Sequence, residues 1–449
     1  MKTIRNIILC GCLFLATVSA AAQADGEKWS LRECIDYAVE NNIEIKQQAL
    51  RVEDSEISLN SSQNSRLPSL NANVNENIGF GRSKNLDDVY ENKQSSSTSW
   101  GLSTSVPVFS GMRITNQVKA NEWNLKSAIE GLERAKENLG LQITSYYLDV
   151  LLKKELLKVA EIQIELTLQQ QRQTEVLVAE GKVPQSQLFD IKAQAAQNEV
   201  SVTSARNNVS IALLNLSQSL NLPDFNGFDI AEPGNEDQMM ALNPVTAFTP
   251  DDIYDMALGI KPHIKEAEFQ VESSKASVKV AESSFWPSVN LSMSYGNQFR
   301  HIFGEDNMKL STQIKEGRSQ SIGLGISIPI FNRLQTRNQV RSAKLNVSDR
   351  MLVLDNVKLS LYKEIQQAYV NAMAAENRYK AAQVAYHAAE ESYKYIQERY
   401  RVGKATVFEF NESQSKLVTS LSEQLQAKYD YVFGAKILDF YRGEPIDIR

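Results

Sequence analysis

The chain has 449 residues and a net charge of −6, and 42% of its residues are hydrophobic. This acidic balance provides no basic surface for nucleic acid, so nucleic acid is not an expected partner. After residue 24, no apolar run approaches the roughly 20 residues that a transmembrane helix needs.

The N-terminus has the pattern of a secretory signal peptide. Lys2 and Arg5 precede an apolar stretch and a run of small residues that ends at Ala24. Removal of residues 1–24 would leave Cys34 as the single cysteine, so no internal disulfide is expected. The exported chain is therefore either a periplasmic protein or a transmembrane β-barrel.

The first half of the mature chain predicts a helix, two strands and a pair of helices, in that order. The helices repeat apolar residues every seven positions, whereas the strands alternate apolar with small polar residues. A turn with Gly and Pro separates the last two helices. These elements span about 30–64, 70–77, 97–108, 112–180 and 185–220, with a polar loop over 76–96 between the strands.

A connector and a second copy of the same order complete the chain. Residues 226–249 are rich in Gly, Pro and acids and show no period. The pattern of residues 25–225 then starts again over 250–449, and Gly181 recurs as Gly403, 222 residues later. A match of this length indicates an internal duplication. The second copy predicts strands at about 288–295 and 321–330 and a long helix over 332–402.

The four strands are patterned for lipid. One face carries apolar residues such as Trp100 and Leu291, the other carries Ser, Asn and Gly, and neither is a charged face. This pattern is typical of outer-membrane barrels, and the alternative is a solvated sheet packed on helices. Four strands cannot close a barrel, and an open strand edge cannot lie in lipid, so copies of the chain must share one. Two copies would give eight strands, and three would give twelve.

Short motifs occupy the same places in both copies. They are Leu-Pro-Ser-Leu at 67–70 and Trp-Pro-Ser-Val at 286–289, Val-Pro-Val-Phe at 106–109 and Ile-Pro-Ile-Phe at 328–331, and the turns Glu-Gly-Lys-Val-Pro at 180–184 and Tyr-Arg-Val-Gly-Lys at 400–404. In this order and spacing they resemble the TolC-type outer-membrane efflux protein family over essentially the whole mature chain.

The resemblance implies an α+β membrane protein. Three chains would form a twelve-stranded β-barrel in the outer membrane, with four strands from each chain, and a long α-helical coiled-coil barrel would continue it into the periplasm. The implied function is the exit duct of a tripartite efflux or type I secretion system. Its partners would be outer-membrane lipid, a periplasmic adaptor protein and an inner-membrane transporter.

A structural anchor or adhesin that uses the coiled coil as a stalk is the alternative function. The duplicated hairpins favour the duct, because a stalk gains nothing from reversing at a Gly turn. The sequence does not predict the substrates or the class of transporter.

Catalytic chemistry is not expected. The histidines His263, His301 and His387 are far apart and lack metal-ligand spacing. The chain has no phosphate-binding Gly loop, nucleophile elbow or Cys–His pair. The sequence therefore predicts a conduit rather than an enzyme, with no cofactor and no metal.

The two helix reversals are candidate contact sites. A Gly in the left-handed conformation commonly ends a helix, which gives Gly181 and Gly403 a sufficient structural role. The resemblance adds that these turns are the tips that meet the adaptor. The expected contact residues are Gly181, Lys182, Val183, Pro184, Gly403 and Lys404.

A periplasmic gate is expected just past the second turn. Glu409 and Glu412 are three residues apart, so they share one helix face. The resemblance places acidic residues at these positions, in the narrowest part of the tunnel. Thr406 and Glu409 also form the pattern of a capping box, which would occupy Glu409 without a pore role.

The latch of this gate departs from the family. Family members use a tyrosine and an arginine near this turn to hold the entrance shut. Tyr400 matches the tyrosine, but Ala405 stands where the arginine would be, and Gln187 lies where its acidic partner is expected. We therefore expect a latch that is weaker or differently built.

Overall fold

The computed structural model describes residues 28–84, 90–224, 226–232 and 245–444. The expected signal peptide at 1–24 lies outside these residues, as does part of the connector. The helices are α1 (Leu31–Asn41), α2 (Ile43–Asn64), α3 (Arg113–Ala179), α4 (Gln185–Ser219), α5 (Pro250–Ile260), α6 (Pro262–Glu282), α7 (Leu310–Glu316), α8 (Gln335–Arg401) and α9 (Val407–Tyr441). The strands are β1 (Ser69–Lys84), β2 (Tyr90–Ser110), β3 (Ser288–Ile302) and β4 (Arg318–Ser327).

The chain divides into two compact units. The sheet unit contains the described residues of 44–136 and 254–364, and the helical unit contains those of 28–43, 137–253 and 365–444. No helix in the described part of the chain is both long and apolar enough to cross a membrane.

The sheet is antiparallel throughout, with the strands in the order β1-β2-β3-β4. Because side chains alternate between the two faces of a strand, the register determines which residues share a face. Val74 pairs with Trp100, Leu102 with Tyr295 and Met293 with Ile322, so the apolar residues of all four strands form one continuous band. This band is the lipid-facing pattern that the sequence predicted.

The strands run farther than their alternating segments. Residues 76–84 and 90–96 are strand, where the polar composition had indicated a loop, and β3 continues to Ile302. β4 ends at Ser327, before the last alternating residues of its run. Hydrogen bonding to a neighbouring strand overrides the low strand propensity of Asn, Ser and Gly, because such propensities depend strongly on context.

The internal duplication is visible in the lengths of the helices. The long helices α3 and α8 have 67 residues each, and the helices that follow them, α4 and α9, have 35 each. Within the helical unit, predicted seam residues such as Ile143 and Val150 are fully buried. A Cβ at Gly434 of α9 would lie 3.2 Å from the Cα of Ala372 in α8, so α8 and α9 approach closely at this point.

The start of the described chain and the connector are tied to α3. Trp29 pairs with Ile230 in a parallel bridge, and the Tyr147 hydroxyl donates to the carbonyl of Ala231 at 2.7 Å. The Lys154 ammonium pairs with Asp229 and donates to the carbonyl of Ile230 at 3.2 Å. These contacts fasten both segments to the helical unit.

Candidate functional site

Both helical hairpins of the helical unit reverse through the same type of turn. Gly181 has φ +68° and donates to the carbonyl of Val178 at 2.9 Å, while Lys182 donates to that of Leu177 at 2.9 Å. This pair of bonds is a Schellman motif, which requires a residue in the left-handed region. An exposed ion pair joins Lys182 to Glu180 at 2.6 Å, and Pro184 precedes α4.

The second turn repeats this geometry. Gly403 has φ +72° and donates to the carbonyl of Tyr400 at 3.0 Å, while Lys404 donates to that of Arg399 at 2.8 Å. The guanidinium of Arg399 also donates to the carbonyl of Lys404 at 2.8 Å. Backbone hydrogen bonds and the Arg399 side chain therefore both stabilise the turn.

Thr406 and Glu409 form the capping box at the start of α9. The Thr406 hydroxyl accepts from the amide of Glu409 at 3.2 Å, and the Glu409 carboxylate accepts from the amide of Thr406 at 2.7 Å. The hydrogen bonds from Thr406, together with the charge of Arg399, hold the pKa of Glu409 below its usual value. In the single chain Glu409 thus has a structural role.

Glu412 has no part in that cap. It lies one helical turn beyond Glu409, and its side chain is exposed. The two acidic residues therefore differ in role: Glu409 caps the start of α9, whereas Glu412 is exposed on its surface.

Tyr400 belongs to an aromatic cluster within its own hairpin. Its ring stacks on that of Phe410, with 4.9 Å between the ring centroids. The ring of Tyr393 also packs against Phe410, at 5.6 Å. Phe410 and Tyr393 are buried, whereas Tyr400 is half-buried. Within the described residues the Tyr400 hydroxyl has no hydrogen-bond partner.

The residues around the missing latch are also placed. Ala405 and Gln187 are half-buried, and the amide of Gln187 donates to the carbonyl of Pro184 at 3.1 Å. The structure thus brings Tyr400, Lys404 and Glu409 together around the second turn. Gly181, Lys182, Val183 and Pro184 form the first turn, and among the described residues no hydrogen bond or ion pair joins it to the second turn.

Sequence reasoning missed the aromatic cluster and Arg399. A signal for the cluster was present, because Tyr379, Tyr386, Tyr393 and Tyr400 follow one another at seven-residue spacing along α8. Such spacing puts them on one seam of the hairpin, and Tyr379 does stack with Tyr431 of α9 at 6.0 Å. Arg399 has no comparable pattern.

Among the described residues, no group of three or more His, Cys, Asp or Glu side chains could hold a metal ion. Cys34 is buried, and burial raises the pKa of its thiol to about 12, with Glu33 adding to the effect. A sheet with a lipid-patterned face, joined to long helical hairpins, is the architecture expected of a membrane conduit.

Comparison with known proteins identifies the class. The family model described as "Outer membrane efflux protein" matches the chain twice, at residues 34–222 and 253–437. The chain therefore belongs to the outer membrane efflux protein family. It is an exit duct of the efflux or secretion type, located in the outer membrane with a periplasmic helical extension, and the two matches agree with the duplication.

Two curated relatives are similar over most of the chain. The outer membrane efflux protein BepC of Brucella suis is 22% identical over 344 residues, which are 75% of this chain and 70% of BepC. The alkaline protease secretion protein AprF of Pseudomonas aeruginosa is 20% identical over 70% of this chain and 63% of AprF.

Solved structures share the fold. The match to the crystal structure of CusC covers 93% of this chain and 92% of the CusC chain, with a TM-score of 0.77 and 18% identity. The Campylobacter jejuni CmeC outer membrane channel covers 92% of this chain and 84% of its own, with a TM-score of 0.72 and 18% identity. These likenesses confirm the predicted fold.

Proposed function

We propose that three copies of the chain form the duct, with a twelve-stranded barrel built from four strands of each. The observation that supports this is the open sheet: in the described residues β1 and β4 each have one unpaired edge. Unpaired backbone groups are costly in lipid, and pairing β1 of one copy with β4 of the next removes both edges.

Exposed leucines on α8 support the same assembly. Leu345, Leu352 and Leu359 follow at seven-residue spacing and are 71%, 68% and 50% exposed in the single chain. On α2, Leu50 and Ile57 are 63% and 61% exposed at the same spacing. Rows of apolar residues at this spacing are coiled-coil seams, so these two rows would be covered by neighbouring copies.

The two turns would contact a periplasmic adaptor. Lys182 and Lys404 are exposed, as are the apolar side chains of Val402 and Phe408 beside the second turn. Exposed apolar and cationic side chains on rigid helix reversals suit a protein partner. The adaptor would in turn couple the duct to an inner-membrane transporter.

The gate would lie at the start of α9. A ring of three exposed Glu412 carboxylates attracts cations into a narrow opening. Tyr400 would contribute to the latch through its free hydroxyl, and Arg399 supplies a cation near the position where Ala405 lacks one. Glu409 would support the gate by fixing the end of the helix rather than by lining it.

Conductance tests this function against the stalk alternative. Purified protein added to a planar lipid bilayer should give discrete channels, and expression in a host lacking its own duct should reduce intracellular accumulation of a fluorescent efflux dye. A protein that inserts into the bilayer without conducting would support the anchor or adhesin instead.

A further inference from the structure

The transport function does not account for the short helix that follows β3. On α7, Leu310 and Ile314 lie one helical turn apart and are 52% and 44% exposed. Phe303 and Met308, just before the helix, are exposed as well. The segment therefore presents an apolar surface although it is anchored in the fold.

Two side-chain amides hold this segment against the end of β3. Gln313 accepts from the amide of Arg300 at 2.8 Å and donates to its carbonyl at 3.0 Å. Asn307 makes the same pair of bonds with Ile302, both at 2.8 Å. β4 pairs with β3 only as far as Asn297, so these amides satisfy the strand edge beyond that point.

Asn297 shows on which side of the sheet α7 lies. Its side chain shares a face with Met293 and Tyr295, because alternate residues of a strand point the same way. From that face its Nδ2 donates to the carbonyl of Ile314, at the C-terminal end of α7, at 2.7 Å. The helix is therefore fastened on the apolar, lipid-facing side.

The helix also lies beside aromatic residues of the apolar band. Trp100, which pairs with Asn297, packs edge-on against Tyr295 at 5.7 Å. Aromatic residues gather where the lipid-facing band of an outer-membrane barrel meets water. The apolar residues of α7 thus adjoin aromatic residues of the lipid-facing surface.

Cationic side chains accompany this apolar surface. Lys309 immediately precedes α7, Lys315 lies in its last turn, and both are exposed. Apolar residues beside lysines are the pattern of helices that lie in the interface of anionic lipids.

We propose that α7 is an interfacial anchor in the outer leaflet of the outer membrane. Leu310 and Ile314 enter the boundary of the acyl chains, and Lys309 and Lys315 meet the phosphate groups of the lipids. This assignment rests on the outer-membrane location of the duct and adds a lipid contact outside the barrel wall.

A fluorescent label on opposite sides of α7 tests the anchor. Ile314→Cys and the matched control Glu316→Cys lie on opposite sides of the helix, and the buried Cys34 can remain. Each full-length variant carries an environment-sensitive dye in vesicles of phosphatidylcholine and phosphatidylglycerol. Nitroxide-bearing lipids should quench the Ile314 label. Aqueous iodide should quench the Ile314 label about threefold less than the Glu316 label.

Equal iodide quenching at both positions, without quenching by the lipids, would overturn the anchor. Conductance of the same vesicles separates this result from a failure of the duct, since channels that conduct with a water-exposed Ile314 label contradict the anchor alone.

The phosphate contact is tested by lipid composition. Vesicles of phosphatidylcholine alone should weaken lipid quenching of the Ile314 label, and the double change Lys309→Gln and Lys315→Gln should abolish this dependence. If quenching of the Ile314 label is the same with and without phosphatidylglycerol while both lysines are present, the phosphate contact is wrong.

Discussion

At the residue scale, neighbouring groups give similar side chains different roles. Glu409 and Glu412 are separated by one helical turn, yet only Glu409 is bound to the helix end by Thr406. Its pKa is lowered, so its contribution to stability is present above the ordinary value of 4.5 and is lost as pH falls through the folded value. Glu412 makes no such contact, and it is the carboxylate that we propose faces the pore.

The first prediction follows from this difference. Glu412→Gln should shift the reversal potential in a salt gradient toward zero and weaken block by multivalent cations, because the ring loses its charge. Glu409→Gln is the matched control, since glutamine still serves in a capping box. Single-channel recording measures both, and an unchanged reversal potential in Glu412→Gln would place this residue away from the pore.

A second prediction concerns His263 in the sheet unit. Burial, with Lys261 and Arg134 nearby, lowers its pKa from 6.5 to about 4. The folded state therefore favours neutral His263, and stability present above pH 6.5 should be lost as pH falls toward 4. Glu266, whose pKa burial raises, acts in the opposite direction, because its contribution is lost as pH rises.

Unfolding midpoints of the detergent-solubilised protein between pH 7 and 4 measure this effect. His263→Gln should flatten the decline, whereas His387→Gln, at an exposed position on α8, should leave it unchanged. Equal pH profiles for the parent and His263→Gln would show that other groups set the acid sensitivity.

At the element scale, the turns were more predictable than the strands. Gly181 and Gly403 end long helices in a conformation that local chemistry alone requires, so their place is evident from the sequence. The reach of β1 and β2 through the polar residues 76–84 and 90–96 depends on pairing between strands, which no local pattern contains. The side-chain amides of Gln313 and Asn307 are unpredictable for the same reason.

The third prediction uses the conformation of Gly403. Gly403→Ala should destabilise the second turn by about 1 kcal/mol, because φ +72° is unfavourable for a residue with a Cβ, even though the space is open. Gly403→Asn should cost less, since asparagine tolerates this region. Hydrogen exchange of the amides near the tip measures the loss.

Gly259 provides the control for this change. It lies in α5 with open space around the position of a Cβ and without a positive φ, so Gly259→Ala should be neutral or slightly stabilising. Equal protection of the tip in Gly403→Ala and the parent would contradict a strained turn.

At the scale of the whole molecule, the duplication, the fold class and the family were predictable from the sequence, because the patterns that indicate them extend over hundreds of residues. The contacts of Tyr400 with Phe410 and of Arg399 with the turn were not, because they depend on how two helices align. In the described single chain, two strand edges are unpaired and two rows of apolar residues are exposed. We therefore expect other copies of the chain to cover them.

The fourth prediction tests that completion. The double change Leu345→Glu and Leu352→Glu should abolish the trimer, because each leucine withdrawn from a seam forfeits about 1.5–3 kcal/mol and the carboxylates repel. Gln366→Glu is the matched control, since Gln366 continues the same seven-residue series but is already polar. Mass measurement in detergent reads the result, and a trimer that survives the double change would place the seam elsewhere.

The last prediction concerns the direction of the molecule in its membrane. The β1–β2 and β3–β4 connections lie at one end of the sheet, and the helices leave from the other end, so these connections should face the cell exterior while both turns face the periplasm. Asn92→Cys, at an exposed position of β2, should react with a membrane-impermeant thiol reagent on intact cells, because it pairs with Arg82 near the outer end. Lys182→Cys should react only after the outer membrane is permeabilised, since it lies in the first turn. The buried Cys34 supplies the background in the parent protein, which should remain unlabelled under both conditions. Labelling of Lys182→Cys but not Asn92→Cys on intact cells would reverse the orientation, and the adaptor could then not reach the turns.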